Sequence, residues 1–228
     1  MVSKTAKSER RTAPLSKDAI IAAAIEILDD KGEGALTFRA LATRLQTGSG
    51  AIYWHVADKQ ALLAAATDHV VAAIIVNGVK DAEPREAIRT FALGVFDAID
   101  THPWIGGQLS RDPWQHAVLR ILEGVGGRIQ ALGVPADAQF NVATAIMSFI
   151  LGLAGQYALG AGMSKGGVDR ATALGEIATR WAQLDQDTHP FVRQIATQLA
   201  EHDDREQFLA GIDLILSGIE PLREHALL

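Results

Sequence analysis

Apolar residues recur three and four positions apart along most of the chain, the spacing of helices that bury one face. Ser16 is a good N-cap, Leu15 before it can staple onto Ile20, and Ile21, Ala24, Ile25 and Leu28 continue the stripe. Lys31 and Gly32 end this first helix, the lysine favoured by the helix dipole and the glycine by a left-handed C-terminal turn. Thr37 caps a second helix that buries Phe38, Leu41, Ala42 and Leu45, and Gln46-Thr47-Gly48 breaks it. Ser49 opens a third helix over 50–56, too short to stand without neighbours. Asp58 caps a long helix from Lys59 to about Val76 that links this part of the chain to the rest.

Further helices are predicted over 83–101, 113–132, from Pro135 onward, 168–184, 190–202 and 206–222, with only a short turn near Trp104 and a Gly-rich loop over 160–167. No strand alternation or internal repeat interrupts them. The predicted fold is all-α: a three-helix N-terminal domain (15–60), then a larger helical domain (61–228), about nine or ten helices together. The stretch 138–164 carries no charge and is long enough to test as a membrane span. Gln139, Asn141 and Gln156 interrupt it and no Lys/Arg cluster flanks it, so a buried helix is expected and no membrane.

Composition narrows the classes. An apolar fraction of 48% over 228 residues fills a sizeable core. The absence of cysteine removes disulfides, thiolate metal sites and cysteine nucleophiles. No signal-peptide core follows Met1, so a cytoplasmic protein is expected. The net charge of −6 argues against nucleic acid when taken whole, yet it is unevenly spread. Residues 1–59 hold nine Lys/Arg against seven Asp/Glu, which leaves −8 for the remainder. Residues 1–14, polar and basic with no apolar period, read as a disordered arm.

A Thr-capped second helix, a three-residue turn and a third helix carrying Tyr53-Trp54-His55 make a trihelical unit able to set its third helix in a major groove. Residues 16–71 resemble the DNA-binding region of the TetR family. Ile52-Tyr53-Trp54-His55-Val56 with Lys59, Ala61, Leu62 and Leu63 is similar to the tetracycline-repressor class of that family. Pro190-Phe191-Val192-Arg193-Gln194 and the run FLAGIDLILSGIE over 208–220 resemble the last two helices of the same class. The resemblance implies a helix-turn-helix regulator, a repressor that binds double-stranded operator DNA as a homodimer and responds to a small-molecule effector.

It also implies roles. Thr37 would meet a phosphate with its hydroxyl and amide, and Arg39 would reach the O6 and N7 edge of a guanine. Ser49, Gly50 and Ala51 would face base edges with little to offer beyond one hydroxyl. Tyr53 and His55, with Trp54 between them, would lie against the backbone, and Lys59 would meet an anion at the start of the linking helix. The family usually has glycine where Gln46 stands and a small apolar residue where Thr47 stands. The turn therefore needs Gln46 in a left-handed conformation, at some strain.

In the larger domain, Ala145, Ser148, Gly152 and Gly155 share a small-residue face, and Phe208, Ile212, Ile215, Leu216 and Ile219 form an apolar stripe. Together they are expected to build a four-helix dimer interface. Effector-pocket candidates are His69, Phe96, Trp104, Trp114, Met147, Phe149 and Tyr157. Tetracycline-binding members of the family hold the drug with a histidine at about the position of Ile75, which argues against tetracycline and magnesium here. His69, His102 and His116 are not joined at ligand spacing, so no metal or cofactor is expected. His102 or the Asp112–His116 pair could serve as acid and base, but no nucleophile or phosphate loop accompanies them and no enzyme is expected. An interaction protein without DNA binding is the remaining alternative, kept open by Gln46.

Overall fold

Short polar side chains start the helices that their positions predict. Ser16 Oγ accepts from the Ala19 amide at 3.1 Å and opens α1 (Lys17–Lys31). Thr37 Oγ1 accepts from Ala40 at 3.1 Å and opens α2 (Phe38–Arg44). Asp58 Oδ1 accepts from Ala61 at 2.8 Å at the head of α4 (Lys59–Val76). Each satisfies a donor that a helix start would leave unpaired, worth about 1 kcal/mol. The computed structural model describes residues 15–76, 82–112, 114–164, 170–199 and 202–225, without the side chains of 76, 154, 157–164, 170 and 223–225. Among the described residues it is all-α, with eleven helices and a 3-10 turn over Glu33–Ala35.

The chain divides into two units, Met1–Ala66 and Thr67–Leu228, and the division falls inside α4. In the first unit Ile20, Ala24, Leu28, Leu36, Leu41, Ile52 and Leu63 are buried. The turn from α2 to α3 (Ser49–Tyr53) is a Schellman closure: Gln46 donates to the Thr43 carbonyl at 3.3 Å and Thr47 to that of Ala42 at 2.9 Å. Gln46 has φ 53°, the left-handed geometry its position demands, and it is the non-glycine residue with positive φ among the described residues. Helix α3 ends at Tyr53, three residues short of the predicted run. His55 and Val56 both bond back to the Ile52 carbonyl, which closes the helix in a tight turn.

The second unit contains α5 (Pro84–Thr101), α6 (Trp104–Arg111), α7 (His116–Ala131), α8 (Ala136–Ser164), α9 (Arg170–Ala182), α10 (Pro190–Leu199) and α11 (Asp204–His225). Its core joins Phe91, Val95 and Ile99 of α5, Ile121 and Val125 of α7, Ile146 and Ile150 of α8, and α11. Helix α6 replaces the short turn expected near Trp104. Gly106 and Gly107 weaken its propensity, and burial of Ile105, Gly106 and Leu109 overrides that weakness. Helix α8 runs through residues 160–164, where a Gly-rich loop was expected; 165–167 lie outside the described residues. By length and composition Ala136–Leu153 could cross a membrane, yet α8 packs Val142, Ala143, Ile146, Met147 and Ile150 into the core with α6 and α7 as neighbours.

Close helix approach depends on missing side chains. A Cβ on Gly211 would lie 2.2 Å from Phe149 Cζ, and one on Gly124 would lie 2.4 Å from Phe91 Cζ. The freed space seats Phe149 against Phe208 (ring centroids 5.5 Å apart), which also packs on Phe96 (5.0 Å). Arg128 lies over the Phe91 ring at 4.3 Å and donates to the Gly124 carbonyl at 2.7 Å; burial lowers its pKa. Ion pairs from Arg85 to Glu220 (2.7 Å), Arg89 to Asp213 (2.9 Å) and Arg205 to Asp97 (3.3 Å) run along the α5–α11 contact.

Candidate nucleic-acid interface

The buried faces of α2 and α3 leave their other faces free to carry chemistry. Arg39 sits in the first turn of α2, exposed, with no polar partner for its guanidinium among the described residues. Thr37 is exposed at the cap, its hydroxyl already accepting from Ala40 while its proton stays available. On α3, Ser49 and Ala51 are half-buried and Gly50 exposed, with open space where its Cβ would be.

The aromatic pair divides its work. Tyr53 stacks flat on Phe38, ring centroids 4.3 Å apart and planes 9° from parallel, which fixes the ring while leaving the residue 56% exposed. Trp54 is 90% exposed, so the first unit's core cannot be the reason for its presence. His55 is exposed beside it. Sequence reading found Tyr53 but not its support, since Phe38 lies fifteen positions away and was read only as a core residue.

Lys59 departs from expectation. Its ammonium is half-buried and donates to the Glu33 carbonyl at 2.6 Å, tying the head of α4 to the 3-10 turn. It positions α4 first, and any anion must share a group already engaged. Also unforeseen is an open cleft of about 550 Å³ between α1 and α2, lined by Lys31, Thr37, Arg39, Thr43 and Arg44. Arg44 in that cleft is held by Glu26 of α1, with its Nε 2.6 Å from the carboxylate. Its signal was its place, five residues after Arg39 on a seven-residue helix.

Residues 20–66 match the model of bacterial regulatory proteins of the tetR family, and residues 80–223 match the tetracyclin repressor-like C-terminal domain. The chain belongs to the TetR family. It is a transcriptional regulator with a helix-turn-helix DNA-binding unit. Among solved structures, a TetR transcriptional regulator from Streptomyces coelicolor is 49% identical, with TM-score 0.80, over 92% of this chain and 100% of that one. The tetracycline repressor protein class D of Escherichia coli is 26% identical over 91% of this chain and 90% of its own length. An HTH-type transcriptional regulator of Saccharopolyspora erythraea is 33% identical over 47% of this chain, and the match spans about half (46%) of that relative.

The TetR-type body distributes its candidates differently. Phe96 and Met147 are buried, Trp104 is half-buried, and His69 is exposed on α4. Trp114 is 81% exposed in the turn before α7, its amide donating to Asp112 Oδ1 at 3.0 Å; as placed it faces solvent rather than a pocket. Tyr157 lies on α8, its side chain outside those described. No group of three His, Cys, Asp or Glu side chains at metal-binding distance occurs among the described residues.

The α11 stripe requires a correction. Phe208, Ile212, Leu216 and Ile219 are buried in the chain's own core and cannot face a partner, and Ile215 is half-buried beside them. An apolar stripe on a helix declares a buried face without saying who buries it. The opposite face of α11 carries Gln207, Ala210, Gly218 and Leu214, which is 76% exposed. On α8, Ala145, Ser148 and Gly152 are exposed as a row, whereas Gly155 turns toward α6, where its Cβ would sit 3.6 Å from Ser110 Oγ.

Proposed function

We propose that the protein is a repressor that binds a two-fold symmetric operator in the cytoplasm as a homodimer and releases it when a small molecule occupies the body. The observation that carries this reading is the exposed set Thr37, Arg39, Tyr53, Trp54 and His55 on α2, α3 and the turn that follows, which the first unit's own core does not require. Arg39 reads a guanine edge through its fork, and Ser49, Gly50 and Ala51 let the backbone of α3 come close to the bases. Thr37, Tyr53 and His55 hold the phosphates, with Trp54 packed along the sugar edge. Lys59 keeps α4 in place behind them.

A dimer follows from the need to set two recognition helices about 34 Å apart. The exposed row Ala145, Ser148 and Gly152 on α8 and the Ala210–Leu214–Gly218 face of α11 support it, because small residues admit close helix packing and Leu214 gains a cover. The effector lodges among Phe96, Trp104 and Met147, the buried and half-buried members of the candidate set, and shifts α4, whose two ends belong to different units. The full-length likeness to a protein named a tetracycline repressor supports both repression and small-molecule release.

Sedimentation of the wild type and Leu214→Asp tests the assembly. The wild type is expected to sediment as a dimer and the variant as a monomer with weakened operator binding. A variant that remains dimeric and binds operator as the wild type does would remove α11 from the interface.

A further inference from the structure

Successive residues on a helix point about 100° apart, so α3 sends its last two side chains in different directions. Ile52 is fully buried, whereas Tyr53 is 56% exposed. The first unit's core therefore places Ile52 and leaves the Tyr53 ring to another support. That support is Phe38, the first residue of α2, whose ring lies 4.3 Å from the tyrosine ring with planes 9° from parallel.

Core packing does not account for Phe38. The buried residues of α2 are Leu41 and Ala42, while Phe38 is half-buried between Thr37 and Arg39, both exposed. The Tyr53 hydroxyl has no hydrogen-bond partner among the described residues, so its proton is free to be donated. An exposed side chain loses rotamer freedom when a ligand immobilises it, and a ring already held in place escapes that cost. The saving is about two- to tenfold in affinity for one such side chain.

We infer that Phe38 is a positioning residue for DNA binding: it holds the Tyr53 ring so that the hydroxyl meets a backbone phosphate, and makes no contact with the duplex itself. The inference rests on the proposed DNA-binding function. Because the stack joins the first turn of α2 to the end of α3, it also fixes the phosphate contact of one helix relative to Arg39 on the other.

The test measures affinity on an operator fragment and on a random-sequence duplex for the full-length wild type, Phe38→Leu, Tyr53→Phe and the double variant. Tyr53→Phe removes the hydroxyl alone and is expected to lose about ten- to a hundredfold on both duplexes for each subunit bound. Phe38→Leu should lose about two- to tenfold on both, leaving their ratio within about threefold, since a phosphate contact carries no base preference. Neither side chain is a cation, so the slope of log affinity against log salt should stay at the wild-type value. In the Tyr53→Phe background Phe38→Leu should change affinity by less than about twofold, because no hydroxyl remains to be placed. Phe38→Tyr keeps the ring and should keep wild-type affinity. Equal losses from Phe38→Leu in both backgrounds overturn the inference, and a wild type that still prefers the operator leaves the DNA-binding reading intact. Loss of operator preference in Phe38→Leu overturns it too, by showing that the change displaces Arg39. Failure of both Phe38→Leu and Phe38→Met to fold would make Phe38 a stability residue and overturn it likewise. If the wild type binds neither duplex, the function itself fails and the inference with it.

Discussion

Tyr53 and Trp54 stand open to solvent in the unit that ends at Ala66, whereas Phe96, Phe149 and Phe208 in the body close on one another at 5.0–5.5 Å. The first unit buries small aliphatics such as Ile20, Leu41 and Ile52 and keeps large polar-tipped rings outside. The body closes Phe91, Phe96, Phe149 and Phe208 into its core, where glycines at 124 and 211 make room for Phe91 and Phe149, and leaves Trp114, Phe140 and Phe191 on its surface. Aromatic residues thus mean different things in the two regions. In the first Tyr53 and Trp54 stand outside a core of aliphatics; in the second a phenylalanine cluster is part of the core itself.

That contrast can be broken by substitutions with unequal effects. Ile52→Ala should cost about 2–5 kcal/mol in the first unit, because Ile52 is fully buried and is the buried side chain of a five-residue helix too short to stand alone. Hydrogen exchange is expected to show α2 and α3 deprotected while α5, α7 and α8 keep their protection. Uniform loss across both units would show that they fold as one. Gly211→Ala should destabilise the body by about 1–3 kcal/mol, since Phe149 must leave its place against Phe208. Affinity for random DNA is expected to survive this change, and a thermal midpoint equal to the wild type would deny the close packing. Gln46→Gly should stabilise the first unit by up to about 1 kcal/mol, because φ 53° suits glycine at the C′ position of a Schellman turn. Denaturant unfolding measures it, and a loss of stability would mean that the Gln46 side chain holds the turn.

Local chemistry made the first unit readable. Ser16, Thr37 and Asp58 act within three residues of themselves, and the left-handed requirement at Gln46 follows from its place between two helices. The same locality set α4 at Lys59–Val76. What escaped was tertiary. The Phe38–Tyr53 stack, the bond from Lys59 to Glu33 and the Arg44–Glu26 pair join residues 15 to 26 positions apart, and no spacing rule relates them. In the body, the stripe from Phe208 to Ile219 has the right period for an interface and for a core alike; only packing against α5 and α8 distinguishes them. Helix α6 was missed because two glycines mask a helix that its neighbours stabilise.

The most direct test of the account is selection of bound fragments from total genomic DNA with the wild type and with Arg39→Ala, followed by affinity measurement on the enriched sequence. The account predicts fragments with inverted half-sites about one helical turn or its multiples apart. It also predicts that Arg39→Ala loses about 1–3 kcal/mol on them while its preference relaxes at a guanine position. Enrichment of fragments with no shared symmetric element, or an Arg39→Ala variant that loses equally on operator and random DNA, would contradict it.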